Sequence, residues 1–234
     1  LSSSLSTSIS HRSSLSKFVH GKILASPGPY TVRLYELFWA TRILDRLIVA
    51  PLKSPKNTNV VGSKKHRDLA RKSVRKSLVL LKNKGGILPL DKNNSKITLV
   101  GEHADNIGYQ CGGWTIHWQG GSGDITPGTT ILDAFKSAVN DSNDIHYSPN
   151  GDNLLDPDLI VLAIGEKPYT EGVGDRDSLM LSSDDKRLLE KVKKANKPFI
   201  VILISGRPMI VNDALNNSNA FIFVKWVEYI QICI

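Results

Sequence analysis

DLIVLAIG, residues 158–165, places six consecutive apolar side chains between an aspartate and a glycine. No polar residue alternates through it, so a strand built from it must be covered on both faces. It is short for a buried helix, and its Ile and Val residues favour extended backbone. Three further runs read the same way: Lys96–Gly101 (KITLVG) before it, and Pro198–Ser205 (PFIVILIS) and Asn219–Trp226 (NAFIFVKW) after it. Between them lie helical patterns. Thr130–Val139 is amphipathic, and Ser182–Asn196 opens on Ser-Ser-Asp-Asp and ends rich in Lys, as the helix dipole favours. Upstream, Ser63 can cap a helix running through Lys82, with Leu69, Val74, Leu78 and Leu81 near helical spacing and Gly85–Gly86 closing it. Buried strands alternating with helices predict an α/β fold: a mostly parallel sheet with helices on both faces.

Working outward, residues 1–62 read as an irregular segment or linker. Leu1–Ser16 is Ser-rich and lacks acidic residues, Pro27–Pro29 is turn-like, and Pro51–Asn59 is rich in Lys, Asn and Pro; only Tyr35–Val49 suggests a short helix. No signal peptide pattern is visible there. The chain has 234 residues, room for one sizeable domain, which the pattern assigns to residues 63–226. No uninterrupted apolar run is long enough to span a bilayer, so no membrane partner is expected. The net charge of +8 divides unevenly: residues 1–100 carry 19 Lys/Arg against 4 Asp/Glu, and the remainder 11 against 18. A nucleic-acid binder would not turn acidic halfway along, so none is expected as a partner. Two cysteines, Cys111 and Cys233, have no metal spacing and suggest neither a disulfide framework nor a zinc site. The six histidines are scattered, so no metal is expected, and neither a dinucleotide fingerprint nor a phosphate-binding loop occurs, so no cofactor is either.

In a parallel sheet the chemistry gathers where strands end in loops. Two long loops follow Gly101 and Gly165. The first, GYQCGGWTIHWQGGSG (Gly108–Gly123), holds six glycines and two tryptophans. An indole can stack on the apolar face of a sugar ring, or Trp114 and Trp118 can simply plug the loop against the domain. The second, GEKPYTEGVGDRD (Gly165–Asp177), gathers Glu166, Glu171, Asp175 and Asp177. Crowded, partly buried carboxylates can supply the proton donor of glycoside cleavage, and a solvated acidic loop is the other reading.

Several blocks together resemble plant family 3 glycoside hydrolases, which are β-glucosidases and exo-acting β-glucan hydrolases. They are HRDLARKSVRKSLVLLKN (His66–Asn83), ILPL (Ile87–Leu90), HADNIGYQCGGWTIHWQG (His103–Gly120), GTTILDA (Gly128–Ala134), GEKPYTEGVGD (Gly165–Asp175) and LISGRP (Leu203–Pro208). The resemblance implies the second, α/β-sandwich domain of such an enzyme, and a retaining hydrolysis of terminal β-linked glucosyl residues from glucosides or β-glucans. It implies that Glu171 is the acid/base, with Glu166 a competitor that abuts the strand end. Trp118 would clamp a glucosyl ring and Trp114 would be its loop neighbour. It also implies an N-terminal barrel domain as partner, bearing the nucleophilic aspartate in a Ser-Asp-Trp context, and an extracellular or cell-wall location. This chain contains no Ser-Asp-Trp, and its residues 227–234 depart from the family pattern. The sheet is therefore expected to be incomplete at the C-terminus, and the chain to supply the acid/base domain alone. The alternative is a non-catalytic sugar-binding or structural domain.

Overall fold

The computed structural model describes residues 61–92, 96–139 and 144–226. The expectations for residues 1–60 and for the tail at 227–234 lie outside them.

Six strands form one sheet in the order β1-β6-β5-β4-β2-β3. They are β1 (Val79–Asn83), β2 (Ile97–Val100), β3 (Ile145–Ser148), β4 (Leu159–Gly165), β5 (Phe199–Ser205) and β6 (Ala220–Lys225). Every pairing is parallel except that of β1 with β6. DLIVLAIG is the centre of this sheet, and all seven residues of β4 are buried. Its alternate side chains serve two cores. Ile160, Leu162 and Ile164 pack with Leu189 and Val192 of helix α4 (Ser183–Lys194) and with Ala214 of α5 (Asn212–Asn217). Leu159, Val161 and Ala163 pack on the other face with Leu132 of α3 (Ile131–Ala138), and the partly buried Ile87, Leu88 and Leu90 join them. The unbroken apolar run in the sequence is the mark of this two-sided burial.

Caps match their sequence signals. The side chains of Ser63, Thr130 and Ser182 accept from backbone N–H groups three residues on, starting α1 (Lys64–Ser77), α3 and α4. The helix expected to run from Ser63 through Lys82 is shorter than the spacing predicts: it ends at Ser77, and Val79–Asn83 pairs antiparallel with β6. Leu78–Leu81 fits either period, and the open edge of β6 decides the outcome by supplying a ladder of backbone partners. The register shifts between Leu80 and Lys82, leaving Leu81 bulged. The Lys82 ammonium donates to the carbonyls of Leu215 and Asn216 at 2.7 and 2.8 Å, pinning the strand to the end of α5. Strand β3 is short and partly polar, and no apolar run marks it in the sequence. Cys111 is buried at the end of α2 (Ile107–Cys111).

Candidate active site

β2 leads to β3 on one side of itself, and the chain then crosses back to β4 on the other. The carboxyl ends of β2 and β4 thus flank the point where the winding reverses, the place where doubly wound sheets hold ligands. Both long loops start there.

The loop after β2 is closed at its base by Asn106. Its Oδ1 accepts from the backbone N–H of Tyr109 at 3.1 Å and of Gly123 at 2.8 Å, while Gly108 N–H donates to the Gly123 carbonyl at 3.0 Å. One asparagine therefore satisfies two amides at opposite ends of the loop. At the tip, Trp114 N–H donates to the Trp118 carbonyl at 2.9 Å, with Trp114 and Ile116 in the left-handed region. This tight turn sets the two indoles side by side, ring centres 6.2 Å apart and tilted by 57°. They are 42% and 53% exposed, so neither fills the core.

After β4 the chain passes Glu166 and Tyr169 and enters a 3-10 turn, Glu171–Gly174, whose first residue is Glu171 at φ 47°. Such backbone costs a non-glycine residue about 1–2 kcal/mol, so the surroundings must hold it. Glu171 is exposed, and among the described residues no hydrogen bond or ion pair engages its carboxylate. The tryptophan loop lies directly against the entry to this turn. A Cβ on Gly113 would overlap the Tyr169 carbonyl oxygen and the Thr170 methyl group, so only glycine permits the approach. Thr170 N–H donates to the Gln119 Oε1 at 2.8 Å, and Gln119 follows Trp118 directly. The structure thus brings Trp114, Trp118 and Glu171 onto adjoining segments at one end of the sheet.

Glu166 is used differently. It is 5% exposed, and its carboxylate accepts from Ser205 Oγ at 2.6 Å and Tyr169 Oη at 2.9 Å and forms ion pairs with Arg176 Nη2 at 3.1 Å and Arg207 Nε at 3.3 Å. Such an acceptor has its lone pairs committed to the fold. The Glu166 carbonyl faces His103 Nε2 at 3.1 Å, which requires that nitrogen to carry the proton. Burial holds the His103 pKa below the usual imidazole range, so the ring is neutral. Behind Tyr169 stands Trp226, 2% exposed and edge-on to the phenol ring at 4.9 Å; its indole N–H donates to the Tyr109 carbonyl at 3.0 Å. The indole therefore braces the bases of both loops from beneath.

A cavity of about 720 Å³ opens beside this hub, lined by Glu102, Glu166, Tyr169, Arg176, Asp185 and Arg207 among others. Burial pushes the Asp185 carboxyl up to about 6. Glu171, Trp114 and Trp118 do not line the cavity. No sequence signal marks Ser205, Arg207, Tyr169 and Trp226 as neighbours of Glu166 or of the two loops. LISGRP contains the first two, but nothing in the block says which carboxylate they meet.

Residues 78–227 match the model of the glycosyl hydrolase family 3 C-terminal domain. The chain is 32% identical over 189 residues to a lysosomal beta glucosidase of Dictyostelium discoideum, covering 72% of this chain and 23% of that protein. It is 31% identical over 184 residues to a beta-xylosidase of Formosa agariphila, covering 71% and 25%. Among solved structures it resembles the exo-1,3/1,4-beta-glucanase of a Pseudoalteromonas species, with 37% identity and a TM-score of 0.65 over 74% of this chain and 22% of that one. The chain spans about a quarter of the length of these relatives. Over most of its described length, the chain belongs to the glycosyl hydrolase family 3 C-terminal domain family.

Proposed function

We propose that this chain supplies the acid/base half of a retaining glycosidase acting on terminal β-linked glucosyl residues of glucosides or β-glucans. The observation that carries this reading is the clasp between the two loops, Gly113 against Tyr169–Thr170 and Gln119 on Thr170 N–H, which ties an exposed aromatic pair to an exposed carboxylate. A sugar ring stacked on Trp118 would present its glycosidic oxygen to the neighbouring turn. Glu171 then protonates the leaving oxygen and later takes the proton of the incoming water. Glu166, held by two hydrogen bonds and two ion pairs, is the lesser candidate for that task.

The second carboxylate comes from elsewhere. A retaining site needs a nucleophile whose carboxyl group lies about 5–5.5 Å from the acid. No Ser-Asp-Trp occurs in this sequence, and the reading assigns the nucleophile to a barrel domain that faces the Glu171 turn. The names of relatives, a lysosomal and a periplasmic beta-glucosidase among them, favour a secreted or extracellular-type setting. A second reading, a sugar-binding domain without turnover, draws on the same missing nucleophile.

The purified chain should not hydrolyse an aryl β-glucoside above background. Addition of a family 3 barrel carrying a Ser-Asp-Trp nucleophile should restore hydrolysis. Turnover by the chain alone would point to a nucleophile outside this account, whereas sugar binding with no turnover in either mixture would favour the second reading.

A further inference from the structure

Arg207, just past the end of β5, touches both sides of the turn that carries Glu171. Its Nε donates to the Tyr169 hydroxyl, before the turn, and its Nη2 donates to the Gly174 carbonyl at 2.6 Å, at the turn's end. The guanidinium carbon lies 4.1 Å from the centre of the Tyr169 ring. The two sides meet there: a Cβ on Gly174 would overlap that same ring. Glu166 holds the guanidinium in place from below, and Ser205 and Arg176 complete the shell around its carboxylate. Between the two grip points, Glu171, Gly172 and Val173 are exposed, and Val173 is 70% so. Little apolar packing holds these three residues, and Glu171 has left-handed backbone. The pose of the turn must come from its ends.

We infer that Arg207, anchored by Glu166, is a positioning residue that sets where the Glu171 carboxylate stands. This rests on the reading of Glu171 as the acid/base. A planar fork with several fixed donors can hold Tyr169 and Gly174 at once; a lysine, a point charge on a flexible stem, can pair with Glu166 but cannot bridge the turn. A pair with Glu166 buried and Arg207 partly so is a costly way to stabilise a fold. It is a direct way to hold a loop that has almost no core of its own.

Leaving-group dependence tests this, in this chain complemented with a family 3 barrel. A dinitrophenyl β-glucoside needs no proton on its departing oxygen, whereas an alkyl β-glucoside does. Loss of acid catalysis therefore lowers kcat/KM for the alkyl substrate by about a hundredfold and leaves the dinitrophenyl substrate nearly unchanged. Glu171→Gln defines that pattern; if it does not produce it, the assignment of Glu171 fails, whatever Arg207 does. With the pattern established, Arg207→Met should reproduce most of it, and Arg207→Lys, which keeps the charge beside Glu166, should do so in a folded protein. An Arg207→Lys enzyme like the wild type on both substrates, or one that loses both equally, would overturn the inference.

Discussion

Glu166 and Glu171 sit five positions apart on one loop, and their surroundings fit them for opposite work. Glu166 is enclosed by two hydroxyl donors and two guanidinium groups, while Glu171 stands on an exposed turn with its carboxylate unengaged among the described residues. The tryptophans divide similarly. Trp226 is buried beneath the loops, and Trp118 is 53% exposed at the tip of one of them. Trp118→Ala should therefore hardly change stability, by less than about 0.5 kcal/mol, yet weaken glucoside binding about tenfold, some 1.4 kcal/mol. Denaturant midpoints and a binding titration would separate the two effects. Gly113→Ala should lower both stability and binding, because its Cβ has no room between Tyr169 and Thr170. A loss of about 1–3 kcal/mol is expected from such overpacking, with sugar binding falling as the two loops part. Of these residues, the sequence exposes the loop tryptophans and the acidic loop through composition alone. Glu166's role is invisible there, since Ser205 and Arg207 reach it from a strand some forty residues further on.

At the scale of elements, long two-sided apolar runs were the legible part, and DLIVLAIG alone identifies the central strand and the class of sheet. Short elements were not. β1 carries a pattern that suits a helix as well as a strand, and only the free edge of β6 resolves it. Helix α4 supplies a pH test of its own. Ser182 Oγ donates to Asp185 Oδ2 at 2.8 Å, and Asp185 N–H donates back to Ser182 Oγ at 3.0 Å, an arrangement buried under the end of β4. Burial raises the Asp185 pKa from 3.8 to about 6. Between those values the folded chain binds more protons than the unfolded one, so stability falls as pH rises through that window. The fall attributable to Asp185 is roughly 2–3 kcal/mol, complete just above pH 6. Asp185→Asn has no such ionisation, so the stability of the wild type relative to this variant should decline by that amount from pH 4 to pH 7. Chemical denaturation at the two pH values would measure it.

At the scale of the molecule, the chain leaves one sheet edge apolar. Leu78, Val79, Leu80 and Leu81 are 42–53% exposed along β1, and α1 beside them buries no residue. Exposed apolar edges promote association, so the isolated chain should be oligomeric by light scattering, and Leu80→Lys should shift it towards monomer. The central claim concerns what the two loops do together, and the most direct test is hydrolysis of an alkyl β-glucoside by this chain mixed with a Ser-Asp-Trp barrel. The expected result is turnover that needs both components and falls about a hundredfold or more in Glu171→Gln. Turnover that survives this substitution undiminished, or that the chain sustains without the barrel, would contradict the account.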